Sequence, residues 1–372
     1  NIYTLLQRKI NSKPRSYIPE IDGLRFLAII SVIFTHAYYI FLDKLEKGVS
    51  VDIYKPIENL FINGGTGVQV FFVISGYIIT GFFYKKASKN LTFDFKEFYV
   101  RRVVRIEPPY IITLLFFYSI LIVMGKGGVV ELTQHLIASI FYVHNIIYDA
   151  PSSINTVAWS LEVEIQFYIL SPLIYYIYKC NKHTLILLFI LIIFVVLSNY
   201  MGSYYRTLLS QSHFFILGSL LHSRKNFVSY FINGLNYWKS MAFLLIILLL
   251  LFSLENNYDY FTNLSKLFLI LSLFYLVFES PHVRKLFSIR VFYLLGGVCY
   301  TIYLIHYPLL SFIGRLTSYL DIAVNFYLFI AFATILTLAA SAIAAILIEV
   351  PFMDRNFFPR LMKKIYHLLN KS

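Results

Sequence analysis

Charged residues and cysteines are both scarce in this chain. Only 14% of its 372 residues are charged, whereas 59% are hydrophobic and 19% are aromatic. Soluble domains contain about a quarter charged residues, so this composition excludes an ordinary soluble fold. The two cysteines, Cys180 and Cys299, form no Cys-x-x-Cys pair, which argues against a disulfide framework or a thiolate metal site. The histidines show no metal-ligand spacing either, and we therefore expect no metal.

Long apolar runs extend along the whole chain instead. Runs of about 18 apolar residues are long enough to cross a bilayer as a helix, so they predict an all-α, polytopic transmembrane helical bundle. We predict about ten spans: 24–42, 68–84, 108–124, 162–178, 184–200, 205–222, 241–254, 262–278, 291–312 and 323–348. The seventh of these, 241–254, is short for a bilayer unless its flanks extend it.

The segment 131–148 is apolar but interrupted by polar residues. Gln134, His135, His144 and Asn145 lie within it. We interpret it as an interfacial or re-entrant piece, with an eleventh span as the alternative.

Basic residues outnumber acidic ones, 32 to 19, for a net charge of +13. Most of the lysines and arginines fall in alternate connecting segments, as expected if those segments are cytoplasmic. Both termini are then cytoplasmic, and the chain is one membrane domain, 1–372. This domain has an N-terminal segment 1–21, spans within 24–348 and a tail 349–372. Membrane lipids are the expected surroundings, and nucleic acid is not an expected partner because no basic module stands apart from the spans.

Arg25 and His36 lie eleven residues apart in the first apolar run. This spacing is about three helical turns, so both side chains occupy one face, roughly 16 Å apart along the axis. A buried arginine in lipid is costly and should face protein or a wet cavity, and a neutral imidazole is a natural general base. The alternative is an arginine that reaches toward the membrane surface and a histidine that only packs. Asp22 is either a helix N-cap or part of the same site.

Arg102 and Arg105 lie three residues apart in RRVVRIEPPY, just before the third predicted span. One helical face could present both guanidinium groups to a phosphate-bearing ligand on the cytoplasmic side. Contact with anionic lipid head groups explains the same cluster equally well.

The segments WSLEVEIQFY and CYTIYLIHYP hold further candidates. Glu162 and Glu164 begin the fourth predicted span at the outer face and point apart, because two residues correspond to about 200° of helical rotation. Glu164 and Trp159 would line a site for a polar substrate, or else belong to an interfacial belt. His306 lies in the outer half of the ninth span and either binds substrate or is a hydrogen-bonded packing residue.

Six segments in order carry a family resemblance: IDGLRFLAIISVIFTHA, GVQVFFVISGYIITGFF, RRVVRIEPPY, WSLEVEIQFYILSP, LGGVCYTIYLIHYPLL and IEVPF. Together they resemble the acyltransferase-3 family of bacterial integral membrane O-acyltransferases, from Ile21 to about Arg355. Gln69 stands where relatives often carry an acid, so no carboxylate role is assigned there.

The resemblance implies an enzyme of the bacterial cytoplasmic (inner) membrane. Such proteins move an acyl group, usually acetyl from cytoplasmic acetyl-CoA, to a hydroxyl of an extracytoplasmic glycan, for example of a lipopolysaccharide, or of its lipid-linked precursor. Some relatives carry a fused extracytoplasmic hydrolase-like domain. We therefore expect this chain to act alone or with a separate extracytoplasmic partner protein.

The resemblance and the residue patterns together assign roles. We predict His36, Arg25 and Glu164 as catalytic; Arg25, Arg102 and Arg105 as the acyl-CoA site; and Trp159, Glu164 and His306 as the acceptor site. His36 would act as a base or briefly carry the acyl group.

Two other functions are compatible with these residues. A carrier or flippase for a lipid-linked glycan could use intramembrane Arg and His without acyl chemistry. A scaffold for a glycan-assembly complex could retain the motifs without using them.

Overall fold

The computed structural model describes residues 17–45, 55–180, 182–200, 206–223, 235–254, 259–320 and 325–353. Within these residues all regular elements are helical, which confirms the predicted class. The predicted N-terminal segment up to residue 16, and the predicted tail beyond residue 353, lie outside the described residues.

Seventeen α-helices are described. They are α1 (Pro19–Lys44), α2 (Lys55–Ile62), α3 (Gly65–Ala87), α4 (Phe95–Val123), α5 (Val129–Ile140), α6 (His144–Tyr148), α7 (Trp159–Leu170), α8 (Pro172–Lys179), α9 (His183–Tyr200), α10 (Leu208–Ser223), α11 (Tyr237–Ser253), α12 (Tyr260–Glu279), α13 (Pro281–Phe287), α14 (Arg290–Gly297), α15 (Cys299–Tyr319), α16 (Phe326–Ile348) and α17 (Val350–Met353).

Six of the described helices are long and apolar enough to cross a membrane: α1, α3, α4, α9, α12 and α16. The count rises to eight if two bent pairs each form one span: α7 with α8 (with the 3₁₀ turn Thr156–Ala158 before them), and α14 with α15. The predicted sixth and seventh spans correspond to α10 and α11, which have 16 and 17 residues. The count of ten spans and the cytoplasmic position of the termini remain predictions.

The interrupted segment 131–148 forms two short helices. Helix α5 has 12 residues and α6 has 5. Neither is long enough to cross a hydrocarbon layer about 30 Å thick. An eleventh span over these residues is therefore not supported, and an interfacial or re-entrant segment agrees with the helix lengths.

Side-chain caps set the start of several helices. The Asp94 carboxylate accepts the backbone N–H of Glu97 at 3.0 Å at the start of α4, and Asp259 accepts that of Thr262 at 2.8 Å at the start of α12. Each cap satisfies one backbone donor that a first helical turn leaves unpaired. In α4 this start determines which residues of the arginine-rich segment share a face.

Glycines allow the closest contacts between helices. A methyl group added at Gly76 on α3 would lie 2.0 Å from the carbonyl oxygen of Phe215 on α10. One added at Gly218 on α10 would lie 2.1 Å from the carbonyl oxygen of Val73. Helix association in membranes depends on such close backbone approach, because lipid tails remove most of the hydrophobic driving force.

Helix α1 is central to the bundle and contacts α3, α14 and α15. The chain between α14 and α15 bends by 79° at Val298. A methyl group at Gly296 would lie 1.7 Å from the carbonyl oxygen of Asp22, so glycine is required for α14 to reach α1. The bend turns the N-terminus of α15 toward the part of α1 that holds Arg25.

We expect Gly76→Ala to destabilise the bundle. Alanine favours a helix by up to about 1 kcal/mol over glycine. Overpacking against fixed backbone costs typically about 1–3 kcal/mol, so the clash with Phe215 should prevail. Thermal unfolding of the purified protein in detergent should show a lower melting temperature. Gly128→Ala is the control, because its added methyl would meet nothing within 4 Å. Equal melting temperatures for Gly76→Ala and the wild type would contradict the close contact.

Candidate active site

A basic cavity of about 300 Å³ lies between α1, α3, α4, α7 and α15. Four arginines line it: Arg25, Arg101, Arg102 and Arg105. Three of them were predicted to bind an anionic ligand, and the fold brings those three to one site.

Arg25 faces protein rather than lipid. Its guanidinium Nη1 donates to Asp22 Oδ1 at 2.5 Å, and its side chain is 15% exposed. Asp22 lies inside α1, whose N-cap residue is Ile18, so the N-cap alternative for Asp22 is wrong. A buried aspartate one turn before a buried arginine partly offsets the cost of both charges and leaves the remaining guanidinium donors for a ligand.

Arg102 and Arg105 share the face of α4 that lines the cavity. The Arg102 guanidinium carbon lies 3.8 Å from the ring centroid of Phe98 and 5.3 Å from that of Tyr168. Stacking on aromatic faces holds a guanidinium group in one orientation while its N–H edge stays available. The predicted helical face with two arginine forks is therefore present.

Glu164 lies in this same basic cavity, together with arginines that were predicted at the opposite membrane face. The hydroxyl groups of Ser75 and Tyr168 both donate to its Oε1. Glu164 therefore shares one cavity with Arg102 and Arg105.

Glu162 and Trp159 point elsewhere. Glu162 is 1% exposed and accepts the backbone N–H of Asn145 at 2.7 Å, so the two glutamates do point apart as predicted. The Trp159 ring lies 6.5 Å from that of Phe72. Trp159 does not line the basic cavity, so the lining role predicted for it is not seen there.

His36 and His306 form a pair on facing helices. Their ring centroids are 5.2 Å apart, and the ring of Tyr307 lies 5.0 Å from that of His36. His306 is fully buried, and its Nδ1 lies 2.7 Å from the carbonyl oxygen of Tyr303. A carbonyl only accepts, so Nδ1 carries the proton and Nε2 keeps a lone pair. Among the described residues this Nε2 has no hydrogen-bond partner.

Tyr303 connects the basic cavity to the histidine pair. Its ring lines the cavity and lies 5.5 Å from the ring of His306. Ser160 donates to the Tyr303 hydroxyl at 2.6 Å, and that hydroxyl donates to the carbonyl of Val157 at 3.1 Å. Tyr303 is therefore held as the wall between the arginines and His306.

Sequence reasoning gave no site role to several cavity residues, among them Ser75, Tyr168, Tyr303 and Glu349. The spacing of Tyr303, three residues before His306 on one helix, was a readable signal. Glu349 lines the cavity and accepts the backbone N–H of Thr301 at 3.0 Å, in the first turn of α15. Its role depends on a contact between distant segments and has no local signature.

The arrangement suits an anionic ligand with a reactive end. Four guanidinium groups line the cavity against two carboxylates, those of Glu164 and Glu349, so positive charge prevails there and favours an anion. The His36–His306 pair lies just beyond the wall formed by Tyr303.

Comparison with known proteins identifies the family. A family model described as an acyltransferase domain matches residues 18–346. The protein named "Putative O-acetyltransferase SACOL0978" of Staphylococcus aureus strain COL is 28% identical over 381 residues, covering 91% of this chain and 58% of that protein. O-acetyltransferase OatA of S. aureus strain NCTC 8325 is 25% identical over 391 residues, covering 94% of this chain and 59% of OatA.

The chain thus spans under two thirds of the length of these curated relatives. No solved structure matches it. The family model, in contrast, covers the helices that form the basic cavity and the histidine pair. On that match, the chain belongs to the acyltransferase-3 family.

Proposed function

We propose that this chain is a membrane-embedded O-acetyltransferase. It takes acetyl-CoA from the cytoplasm and transfers the acetyl group to a hydroxyl of a cell-surface glycan, or of the glycan's lipid-linked precursor, across the membrane. The observation that carries the proposal is a cavity with four arginines that ends at Tyr303, next to the His36–His306 pair. The names of the relatives, both O-acetyltransferases, support the reaction class.

The donor fits the basic cavity in charge and in shape. Coenzyme A carries several phosphate charges at its nucleotide end, and Arg102 and Arg105 would bind them as guanidinium forks, whereas Arg101 is paired with Glu97. The pantetheine arm is long and uncharged, so it can follow the apolar wall formed by Phe71 and Ile74 toward Arg25. The nucleotide then stays at the cytoplasmic mouth while the thioester enters the membrane.

The thioester must come near His36 for transfer. Tyr303 stands between the cavity and the histidines, and its hydroxyl is anchored to Ser160 and Val157. Transfer therefore requires either that the Tyr303 side chain moves or that the reaction occurs at the edge of its ring. The wall also keeps water from crossing the bundle between turnovers.

The proposed chemistry needs one base. His36 removes the proton from the acceptor hydroxyl while the oxygen attacks the thioester carbonyl. The new C–O bond forms as the C–S bond breaks, and coenzyme A leaves as a thiolate that regains a proton from the imidazolium. A transient acyl-His36 would divide the same exchange into two steps. The ring of His306 lies 5.2 Å from that of His36, and its Nε2, which has no partner among the described residues, can share the proton.

We expect His36→Ala to abolish acetyl transfer. Loss of a general base typically costs about 10²–10⁴ in rate. The measurement is transfer of labelled acetyl from acetyl-CoA to membrane glycan, normalised to the inserted protein. His183→Ala is the control, because His183 lies at the start of α9 and lines neither cavity described in this article.

Two outcomes would contradict parts of this proposal. Near-normal transfer by well-inserted His36→Ala would remove His36 from the mechanism. A wild-type protein that leaves acetyl-CoA intact while moving a lipid-linked glycan would instead establish the carrier function.

We expect Arg102→Ala to weaken donor binding. A hydrogen bond to a charged group contributes about 1.5–3 kcal/mol, so the KM for acetyl-CoA should rise roughly tenfold to a hundredfold. Steady-state kinetics at fixed ionic strength measure this change. Arg284→Ala is the matched control, because that arginine pairs with Glu20 outside the cavity. Equal KM values for the two variants would contradict the donor site.

Glu164→Ala removes the oxygen that accepts from Ser75 and Tyr168, and so separates donor from acceptor roles. Since Glu164 holds Tyr168, on which Arg102 stacks, we expect a several-fold higher KM for acetyl-CoA and an unchanged KM for the acceptor. The two KM values are measured in separate titrations. A change in the acceptor KM alone would restore the role predicted from sequence.

A further inference from the structure

A second, larger cavity of about 1010 Å³ lies beside the histidine pair. It is bounded by the C-terminal parts of α1 and α16, the middle and end of α4, the residues before α7, and α15. Its one direct link to the proposed chemistry is Tyr307, which lines this cavity and lies 5.0 Å, ring to ring, from His36. The basic cavity and this cavity therefore approach the histidine pair through Tyr303 and Tyr307 respectively.

Two unpartnered polar atoms lie in the wall of the second cavity. Asn155 is 2% exposed, and its Nδ2 donates to the carbonyl of Leu304 at 2.9 Å, which leaves Oδ1 without a partner among the described residues. The buried hydroxyl of Thr156 also has no hydrogen-bond partner among the described residues. Buried polar atoms are nearly always hydrogen-bonded, and a ligand that carries hydroxyl groups would supply the missing partners at this wall.

Cationic side chains lie at the other end of the same cavity. Lys44 pairs with Asp43, and both line it. Arg315 also lines it, is exposed, and has no ion pair within the described part of the chain. Arg315 is eight residues beyond Tyr307 on α15, which is about 12 Å along the helix. A ligand with a hydroxyl near Tyr307 could thus place an anionic group at Arg315.

The wall between these two ends is apolar and continuous with the outer surface of the helices. Phe116 on α4 and Phe312 on α15 are 60% and 63% exposed and line the cavity. Ile120 and Leu316 line it as well and are also exposed. In a bilayer such side chains contact hydrocarbon, so a long apolar chain can lie against them without leaving the membrane.

We propose that this second cavity is the acceptor site, and that it takes a saccharide joined through phosphate to a long apolar chain. The proposal rests on the proposed acyltransferase function and narrows its acceptor to the lipid-linked form. The saccharide hydroxyl lies at Asn155 and Thr156, the phosphate at Arg315, and the chain along Phe116 and Phe312. The proton of that hydroxyl goes to His36 as the ester bond forms.

Binding is tested without turnover. Wild-type protein in nanodiscs is incubated with decaprenyl phosphate that carries a photoreactive group, and the crosslinked peptides are identified by mass spectrometry. We expect crosslinks in α4 and α15, competition by unlabelled decaprenyl phosphate, and little competition by inorganic phosphate. Arg315→Gln should weaken crosslinking at least tenfold, whereas Lys126→Gln, an exposed cation outside the lining, should not.

Several results would overturn the acceptor assignment. Equal competition by uncharged decaprenol would remove the anion site. Equal competition by phosphatidylglycerol would make the cavity an ordinary lipid contact. Crosslinks confined to other helices would place the probe elsewhere.

The acetylation assay separates this proposal from the proposed function. We expect Asn155→Leu to raise the KM for a lipid-linked saccharide at least several-fold and to leave the KM for acetyl-CoA unchanged. Equal acetylation of a free and a lipid-linked saccharide would overturn the acceptor assignment while the acetyltransferase function stands. If no acceptor is acetylated and acetyl-CoA stays intact, the proposed function fails, and the crosslinking result still decides whether the cavity binds the lipid phosphate.

Discussion

The cost of placing a guanidinium group among lipid tails is the constraint on which this structure depends. Arg25 avoids that cost because Asp22 pairs with it and because α1 is enclosed by α3, α14 and α15. The enclosure requires Gly296, since any side chain there would collide with the backbone at Asp22. The same bend brings the first turn of α15 to Arg25, so packing and site assembly have one cause.

Two cavities approach one pair of histidines from different directions. Tyr303 closes the basic cavity, Tyr307 borders the larger one, and both lie on α15 within one turn of His306. An open channel through the bundle would let ions and small metabolites cross the membrane. The rings of Tyr303 and Tyr307 stand between the histidine pair and the two cavities. This arrangement suits the proposed transfer between a donor and an acceptor that occupy separate cavities.

Much of the site could be predicted from local spacing. The spacing of eleven positions from Arg25 to His36, and of three from Arg102 to Arg105, specifies shared helical faces whatever the rest of the chain does. That Glu164 shares a cavity with these arginines was not predicted, because hydropathy treats a span as a straight, full-length helix. In the structure α7 has 12 residues and meets α8 at a 43° bend. The neighbours of Glu164 therefore could not be predicted from its position in the sequence.

The sequence by itself determined that this is a helical membrane protein, that Arg25 must be enclosed, and which arginines share a face. These follow from hydropathy and helical period, which are local properties. Only the tertiary structure decided that Glu164 joins the arginines, that Glu349 meets the start of α15, and that Asn155 and Thr156 border a cavity with Arg315. The two bends have local signatures, Pro172 at one and Gly296–Gly297 at the other. Which distant segments those bends bring together depends on packing between helices, which no local residue pattern specifies.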